Sequence, residues 1–329
     1  MLRMIVALLV LHLCSIQQAH PAFSSSILSE VQEKVDLANG TIEFIDDLGS
    51  RVILQVPVKR TISLAPNITE LVFSAGAGDT LLAVSAHSDY PTDALALPVV
   101  ANGGSVSHEA ILRLRPDIVL VWASGTAPGN INRLKELGLT VIAIEPRTFE
   151  ALELWVVRIG KLAGTEIIAQ HAVEKFRDIL AIDAGISTSS VDEYGATGSE
   201  TILVELSQKP LMALSGKHLL GHIAKACGAN ILFSDSLQMA PLISIEAVYA
   251  QDPELIIQFS RANPPEKTAC ITDSYWQTHQ SLSAVKNGFV CQLDGDLLTR
   301  HTLRAAEGAK QLCGLLERYR QRNSQSIKP

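Results

Sequence analysis

An internal repeat constrains the fold of this chain more than any other feature. It consists of the segments SHEAILRLRPDIVLV from Ser107 and SIEAVYAQDPELIIQ from Ser244. In each copy the serine can cap a helix whose first turn holds a glutamate, Glu109 or Glu246, where the helix dipole favours negative charge. A proline then stops the helix, and a buried strand of the parallel type follows. A helix that leads into a buried strand twice in one chain predicts two related α/β lobes.

Segments around the two copies predict the other elements of each lobe. First strands are predicted for RTISLAP at 60–66 and for ETILVELS at 200–207. An amphipathic helix that ends at Gly138, and then a strand, are predicted for NINRLKELGLTVIAIEP, and the counterpart in the second lobe is HLLGHIAKACGANILF. Asn67 is predicted to cap the helix that follows RTISLAP and ends at Gly76.

Two helices are predicted between the lobes. The first covers FEALELWVVRIGKLAG, and the second runs from Thr165, its N-cap, toward Gly185. Apolar residues of the second helix recur at helical spacing, at Ile167, Ile168, Ala172, Val173 and Phe176. Such a helix is a rod about 28 Å long. We therefore expect one long helix to join the lobes and to limit their relative motion.

The N-terminus predicts an export signal. Arg3 is followed by the apolar segment Ile5–Leu13 and by a stretch at 19–22 that suits signal-peptidase cleavage. The apolar segment is too short to span a bilayer, so it predicts export rather than anchoring. Cys14 makes a lipoprotein the alternative, although Leu13 is a poor small-residue partner for lipidation.

The chain divides into six predicted regions. About 300 residues remain after the signal, which exceeds one comfortable core and suggests two domains. A β-hairpin is predicted ahead of the first lobe, around an Asp-Leu-Gly-Ser turn. The regions are a signal peptide at 1–22, an N-terminal linker and β-hairpin at 23–58, an N-terminal α/β lobe at 59–147, inter-lobe helices at 148–184, a C-terminal α/β lobe at 185–318 and a polar tail at 319–329.

Charge, cysteines and missing motifs narrow the function classes. A net charge of −7 offers no basic surface for nucleic acid. The cysteines after the signal are Cys227, Cys270, Cys291 and Cys313. Their even number in an exported chain favours disulfides, and no Cys-x-x-Cys pair supports a metal site. The sequence has no G-x-S-x-G, Walker, H-E-x-x-H or dinucleotide-binding motif, so we expect no enzyme and no cofactor.

The chain resembles the periplasmic binding proteins for vitamin B12 and ferric siderophores. The resemblance covers about 41–318 and rests on RTISLAPNITELVFSAGAGDTLLAVSAHSDYP and on both copies of the repeat. SDYP at 88–91 and DLLTRHTLRAAEGAKQLC at 296–313 are most similar to the cobalamin branch. The resemblance implies an α/β fold of two lobes joined by a single long helix, with the ligand cleft between them. It also implies a periplasmic monomer of the Gram-negative type, which captures cobalamin and delivers it to an ABC importer.

The same resemblance implies roles for individual residues. Glu109 and Glu246 match glutamates that dock on arginine clusters of the importer's membrane subunits. A disulfide between Cys227 and Cys313 matches a bridge of the family, which leaves the other two cysteines to pair. The ligand-binding set implied for the cleft is His87, Asp89, Tyr90, Asp296, Leu297, Leu298 and Arg300.

The cleft departs from the cobalamin branch in its aromatic residues. His87 stands where that branch has a tyrosine, and the cleft tryptophans of the branch would fall near Gly103 and Ala240. Aromatic side chains stack on a large ring such as corrin, and Trp122 and Trp276 are the candidates to replace them. Because an imidazole can also ligate haem iron, a haem or ferric-siderophore protein of the same family is the alternative. An exported enzyme or scaffold is the alternative from another class.

Each candidate residue also has a purely structural interpretation. Glu109 and Glu246 can act through helix-end electrostatics alone, which contributes about 0.3–1 kcal/mol each. Asp296 and Arg300 can form a surface ion pair, and Tyr90 can pack beneath its turn. His87 can be an ordinary turn residue, since serine, aspartate and proline are common in turns.

Overall fold

The computed structural model of the chain describes residues 33–36, 39–186, 200–260, 269–270 and 275–326. The predicted signal peptide at 1–22 lies outside these residues. Within them, no helix has the length and apolar character needed to cross a membrane.

A small antiparallel sheet precedes the first lobe. It consists of β1 (Lys34–Asp36), β2 (Thr41–Ile45) and β3 (Arg51–Gln55). The predicted hairpin is thus confirmed. Its turn is held by the Asp46 carboxylate, which accepts the backbone N–H groups of Leu48 and Ser50 at 3.0 and 2.7 Å. Asp47 attaches the turn to the first lobe, because its N–H donates to the carbonyl of Ala143 at 3.1 Å.

The first lobe is a largely parallel sheet with helices on its faces. Its elements are β4 (Thr61–Ser63), α1 (Pro66–Ser74), β5 (Leu81–Ser85), β6 (Val99–Asn102), β7 (Ser105–Val106), α2 (His108–Leu114), β8 (Ile118–Trp122), α3 (Pro128–Glu136) and β9 (Val141–Ile144). The strand order is β7-β6-β5-β4-β8-β9, and only β7 is antiparallel to its neighbour. Strands buried on both faces read as continuous apolar runs, as β8 and β9 do.

The connection between the lobes is a pair of helices, α4 (Phe149–Ala163) and α5 (Glu166–Asp178). The second continues as a π-helical turn, Ile179–Asp183, which packs on the C-terminal helix of the chain. Gly164 reverses the chain between the two helices with a φ of 78°. Gly160 lets them approach closely, since a Cβ there would lie 2.5 Å from the Cβ of Ala169.

The second lobe repeats the plan of the first. Its elements are β10 (Glu200–Gln208), β11 (Leu211–Ala213), α6 (Leu219–Ala226), β12 (Ala229–Ile231), α7 (Ile245–Gln251), β13 (Leu255–Ser260), β14 (Ala269–Cys270), α8 (Ser283–Lys286), β15 (Val290–Asp294), α9 (Gly295–Leu298) and α10 (Ala305–Ser326). The strand order is β11-β10-β13-β15-β14, with β12 also paired to β10, and strands β10, β12, β13 and β15 run parallel. The predicted two-lobed α/β fold is confirmed.

The internal repeat appears as two equivalent helix–strand units, α2 with β8 and α7 with β13. Each helix ends at a left-handed residue directly before a proline. These residues are Arg115, with a φ of 46°, and Asp252, with a φ of 40°. The repeated proline therefore stops both helices as predicted.

One predicted helix cap is wrong, and another has the predicted position without a side-chain capping bond. Asn67 lies inside α1, which begins at Pro66 and has Ala65 as its N-cap residue. Proline suits the first helical position because the N–H it lacks needs no partner there. Thr165 is the N-cap residue of α5, as predicted, but its hydroxyl donates to the carbonyl of Ala75 at 2.7 Å and accepts no N–H group of the helix.

The apolar face of α5 differs from its prediction at the first turn. Ile167 and Ile168 are 83% and 55% exposed, while Ala169, Val173 and Phe176 are buried. Ala169 packs against Gly160 of α4, which leaves Ile167 facing outward, while the side chain of Ile168 lies over Gly76.

Two disulfides lie in the second lobe. One joins Cys227, at the end of α6, to Cys313 in α10, which is the pairing that the family resemblance implies. The other joins Cys270 of β14 to Cys291 of β15. The first therefore ties the C-terminal helix to the body of the lobe.

Replacing Cys227 and Cys313 together with alanine is expected to lower the free energy of unfolding by about 3–5 kcal/mol, because the unfolded chain is no longer constrained by a long covalent loop. Urea unfolding of the oxidised proteins measures this loss. Non-reducing peptide mapping is the control for the pairing. A free Cys227 thiol in the wild-type protein would contradict the prediction.

Candidate ligand cleft between the lobes

The segments that follow parallel strands of both sheets meet at one junction between the lobes. From the first lobe, Asp89 after β5 and Trp122 at the end of β8 reach this junction. From the second lobe, Arg300 and His301 reach it from the segment after β15 and α9. Ligands of open α/β sheets bind at the carboxyl ends of the strands. The junction is therefore the candidate ligand cleft.

Arg300 bridges the two lobes through three carboxylates. Its Nη1 donates to Glu70 at 2.7 Å and to Asp89 at 2.8 Å, both on the first lobe. Its Nη2 lies 3.1 Å from a carboxylate oxygen of Asp296, on its own lobe. Burial alone would lower the pKa of Arg300, but its carboxylate partners raise it well above its ordinary value. Asp296 and Arg300 thus belong to an ion-pair network across the cleft rather than to an isolated surface pair.

Glu70, on α1, is the central acid of this network, and sequence reasoning missed it. Its side chain is 1% exposed, and its two carboxylate oxygens accept hydrogen bonds from Arg300 and Arg304. The signal in the sequence was one glutamate within the apolar run ITELVF, because a buried charge requires a partner. The four residues Glu70, Asp89, Arg300 and Arg304 are called the lobe bridge below.

The lobe bridge also reaches Tyr90. The guanidinium of Arg304 lies 4.0 Å from the centroid of the Tyr90 ring, as in a cation–π contact. Tyr90 remains 47% exposed beside the residues that join the two lobes. Asp89 beside it is also exposed; burial tends to raise its pKa, but the hydrogen bond and charge of Arg300 lower it overall.

The other predicted ligand residues differ in exposure. His87 is exposed and has a φ of 65°, which is uncommon for a residue other than glycine. Leu297 is half-buried, whereas Leu298 is fully buried in the core. The Leu298 side chain packs on Gly308 of α10. The prediction of Leu298 as a ligand-binding residue is therefore dropped, because its side chain packs inside the core.

The two candidate tryptophans lie in different places. Trp122 is half-buried at the junction, with its ring centroid 5.9 Å from that of His301. Trp276 is fully buried in the second lobe, where its indole N–H donates to Glu205. Trp122 thus stands at the cleft, and the proposal of Trp276 as a replacement for a cleft aromatic is wrong.

Two buried histidines of the second lobe lie behind the junction, of which His301 contacts Trp122, and sequence reasoning missed them as well. His218 precedes α6, and its Nδ1 accepts the backbone N–H of Leu220 at 3.0 Å. The ring of His301 lies 4.4 Å from that of His218, centroid to centroid. Burial, with a smaller contribution from the charge of Arg147, lowers the pKa of His218 to about 4. Burial and the neighbouring His218 lower the pKa of His301 well below its ordinary value.

These shifts predict a loss of stability in acid. A histidine whose pKa is lowered by folding is neutral in both states above pH 6.5, so it has no effect there. Below pH 6.5 the unfolded chain takes up a proton that the folded chain refuses. For His218 the shift to about 4 corresponds to roughly 3 kcal/mol of destabilisation, accumulated between pH 6.5 and pH 4.

Thermal unfolding across this pH range measures the effect, with His218→Asn/His301→Gln compared with the wild type. We expect the double variant to have a shallower decline of stability than the wild type. The control is His171→Gln, since the His171 side chain is 85% exposed. An equally steep decline in the double variant would show that the two buried rings do not cause it.

A polar recess of about 380 Å³ adjoins the first-lobe side of the junction. It lies at the ends of β8 and β9, beneath the turn of the N-terminal hairpin. The side chains that line it are those of Asp47, Leu48, Ala123, Ser124, Glu145 and Arg147. Burial raises the pKa of Asp47, although the Glu145 N–H and the Trp155 indole donate to its carboxylate. The recess offers hydrogen-bond donors and acceptors together.

The two repeat glutamates are exposed in the first turns of equivalent helices, α2 and α7. Glu109 pairs with Arg113 one turn later. The pKa of Glu246 is lowered by its own backbone N–H and by the hydroxyl of Ser244. Ser244 also caps α7 by accepting the N–H of Ala247, whereas Ser107 makes no such bond in α2.

A body of two α/β lobes, joined by helices and in contact with each other where the strands of both sheets end, is typical of two-lobed ligand-binding proteins. Among the described residues, no group of three His, Cys, Asp or Glu side chains is arranged to hold a metal ion. The family described as periplasmic binding protein matches residues 62–297. The chain belongs to this family.

The relatives of the chain include named vitamin B12-binding proteins. It is 32% identical over 262 residues to the vitamin B12-binding protein of Vibrio cholerae. The matched region covers 79% of this chain and 90% of the relative. The crystal structure of the periplasmic vitamin B12-binding protein of Vibrio cholerae superimposes with a TM-score of 0.69, over 80% of this chain and 98% of that one. The periplasmic heme-binding protein of a Roseiflexus species shares the fold at 16% identity and a TM-score of 0.61, over 80% of this chain and 99% of that one.

Proposed function

We propose that this protein is a soluble periplasmic binding protein that captures cobalamin and delivers it to an ABC importer in the inner membrane. The observation that carries the proposal is the 32% identity, across 79% of the chain, to relatives named vitamin B12-binding protein. The cobalamin is cargo, so the proposal includes no cofactor and no catalytic residue. The predicted signal peptide accounts for export.

The residues at the junction suit a ligand with a large ring and polar substituents. Trp122 offers an aromatic surface at the junction, and the charged groups of Asp89 and Arg300 border it. A corrin has a broad apolar face and a periphery of amides, which suits such a combination. The proposed ligand-binding set is His87, Asp89, Tyr90, Trp122, Asp296, Leu297 and Arg300.

Delivery is assigned to Glu109 and Glu246. Both carboxylates are exposed at the starts of equivalent helices, one on each lobe. Charge-assisted hydrogen bonds to arginine clusters on the importer would hold both lobes at once. A monomer suffices for this geometry because the two docking groups lie on one chain.

A ligand titration tests the proposal. Purified mature protein is titrated by calorimetry with cyanocobalamin, and parallel titrations use haemin and ferrichrome. We expect saturable, equimolar binding of cyanocobalamin and its visible absorption in the protein fraction after desalting. Binding of haemin or ferrichrome without cyanocobalamin would overturn the proposal in favour of the alternative ligand class.

A further inference from the structure

The contact between the lobes contains buried polar atoms that lack hydrogen bonds. In the described part of the chain these include the indole Nε1 of Trp122, both ring nitrogens of His301 and the hydroxyl of Thr302. His301 and Thr302 are 0% and 1% exposed. Burial of a polar group without a partner costs free energy, so such atoms call for an explanation. They lie at or beyond the carboxyl ends of strands, where ligands of open α/β sheets bind.

The surroundings of His301 keep its imidazole neutral. The ring stands edge-on to His218 at 4.4 Å and to Trp122 at 5.9 Å between centroids. The carbonyl of Pro146 is close enough to favour the protonated ring, yet neither ring nitrogen makes a hydrogen bond of normal geometry. Burial and, after it, the neighbouring His218 act more strongly than Pro146 and disfavour protonation. A neutral ring keeps one nitrogen lone pair free for another partner.

His218, which contacts His301, already uses one ring nitrogen in a hydrogen bond. Its Nδ1 accepts the N–H of Leu220 at the start of α6, so the position of this ring is fixed by the helix. His301 has no comparable bond. Of the two imidazoles, His301 is therefore the one whose nitrogens are available to a ligand.

We propose that His301 is a ligand-contacting residue of the cleft and that its imidazole coordinates the metal centre of a bound corrinoid. The inference rests on the proposed function and names a contact within it. Neutral imidazole is the commonest side-chain ligand for metals in proteins. The indole of Trp122 beside it supplies an aromatic surface for the ring system of the same ligand.

The coordination step is a ligand exchange. A lone pair of a His301 nitrogen forms the bond to cobalt(III), and the water that occupied that position leaves with its own electron pair. No oxidation or reduction is involved. Because His301 is buried between the lobes in this structure, the contact between His301 and Trp122 must open to admit the ligand.

The test uses aquocobinamide, a corrinoid without the nucleotide base that otherwise occupies one axial position. Visible spectra are recorded for the probe alone, with free imidazole, and with the wild-type protein. We expect the bound probe to show the band shift that free imidazole produces. His301→Gln is expected to abolish this shift, and the matched control His171→Gln, on the exposed face of α5, is expected to retain it. Circular dichroism and thermal unfolding check that each variant is folded.

The outcomes separate this inference from the proposed function. Wild-type protein that binds aquocobinamide without the band shift overturns the coordination, while corrinoid binding stands; this result does not depend on any variant. Loss of the shift in His87→Gln with its retention in His301→Gln assigns the bond to His87 and also overturns it. Failure of the wild type to bind either cyanocobalamin or aquocobinamide contradicts both the inference and the proposed function.

Discussion

Replacing Glu109 and Glu246 together with alanine is expected to abolish importer-dependent uptake of cobalamin and to leave binding in solution unchanged. Both carboxylates are exposed and act on folding only through the ends of their helices, so removing both is expected to lower the free energy of unfolding by at most about 1–2 kcal/mol. Docking is expected to weaken strongly, because each substitution leaves arginines of the importer without their carboxylate partner. Truncation of one side of such a pair costs about 2–5 kcal/mol, and the two losses act on one docking event.

Uptake of labelled cobalamin by cells or by proteoliposomes that contain the importer measures this effect, and calorimetry of the purified variant measures ligand binding. Glu136→Ala is a matched control, since Glu136 is an exposed glutamate at the end rather than the start of a first-lobe helix. Wild-type uptake by the double variant would show that the two glutamates serve only the ends of their helices. Lost binding in solution would place them in the cleft instead.

Removal of the buried Glu70 carboxylate is expected to destabilise the protein by about 3–5 kcal/mol, because it leaves two largely buried arginines without their shared partner. The Glu70 side chain is 1% exposed and accepts hydrogen bonds from both Arg300 and Arg304. In Glu70→Ala, Arg304 loses both of its bonds to this carboxylate. Arg300 keeps Asp89 and Asp296, but these partners are more exposed and screened by water. Most of the expected loss of stability therefore comes from the hydrogen bonds of the buried Glu70 carboxylate.

Asp89→Ala is the matched control, since it breaks an ion pair with the same arginine at a half-exposed position. Its expected cost is about 0–1 kcal/mol. Urea unfolding of both variants without ligand gives the comparison. Equal losses in the two variants would mean that burial does not govern the strength of the bridge. A Glu70→Ala variant as stable as the wild type would show that water replaces the carboxylate without cost.

Local patterns of the sequence were sufficient to predict the two lobes. The repeated serine, glutamate and proline predicted helices α2 and α7 and the strands that follow them, because caps, prolines and apolar runs act within a few residues of themselves. The same reasoning failed where a contact with a residue far away in the sequence replaced the expected local interaction. The hydroxyl of Thr165 bonds Ala75 instead of capping its helix, and the first turn of α5 follows the close packing of Ala169 on Gly160.

The cleft shows the same division. The sequence by itself determined which segments follow the strands of each lobe, and hence that Asp89 lies at the end of a sheet. For Asp296 and Arg300 the family resemblance, and no local pattern, indicated a place in the cleft, and only the tertiary structure decided that Arg300 pairs with Glu70, 230 positions away. It alone also brought His301 against Trp122 of the other lobe. The physical reason is that contacts between lobes join residues far apart in the chain, so they leave no periodicity and no spacing in the sequence, and only packing of the two sheets creates them.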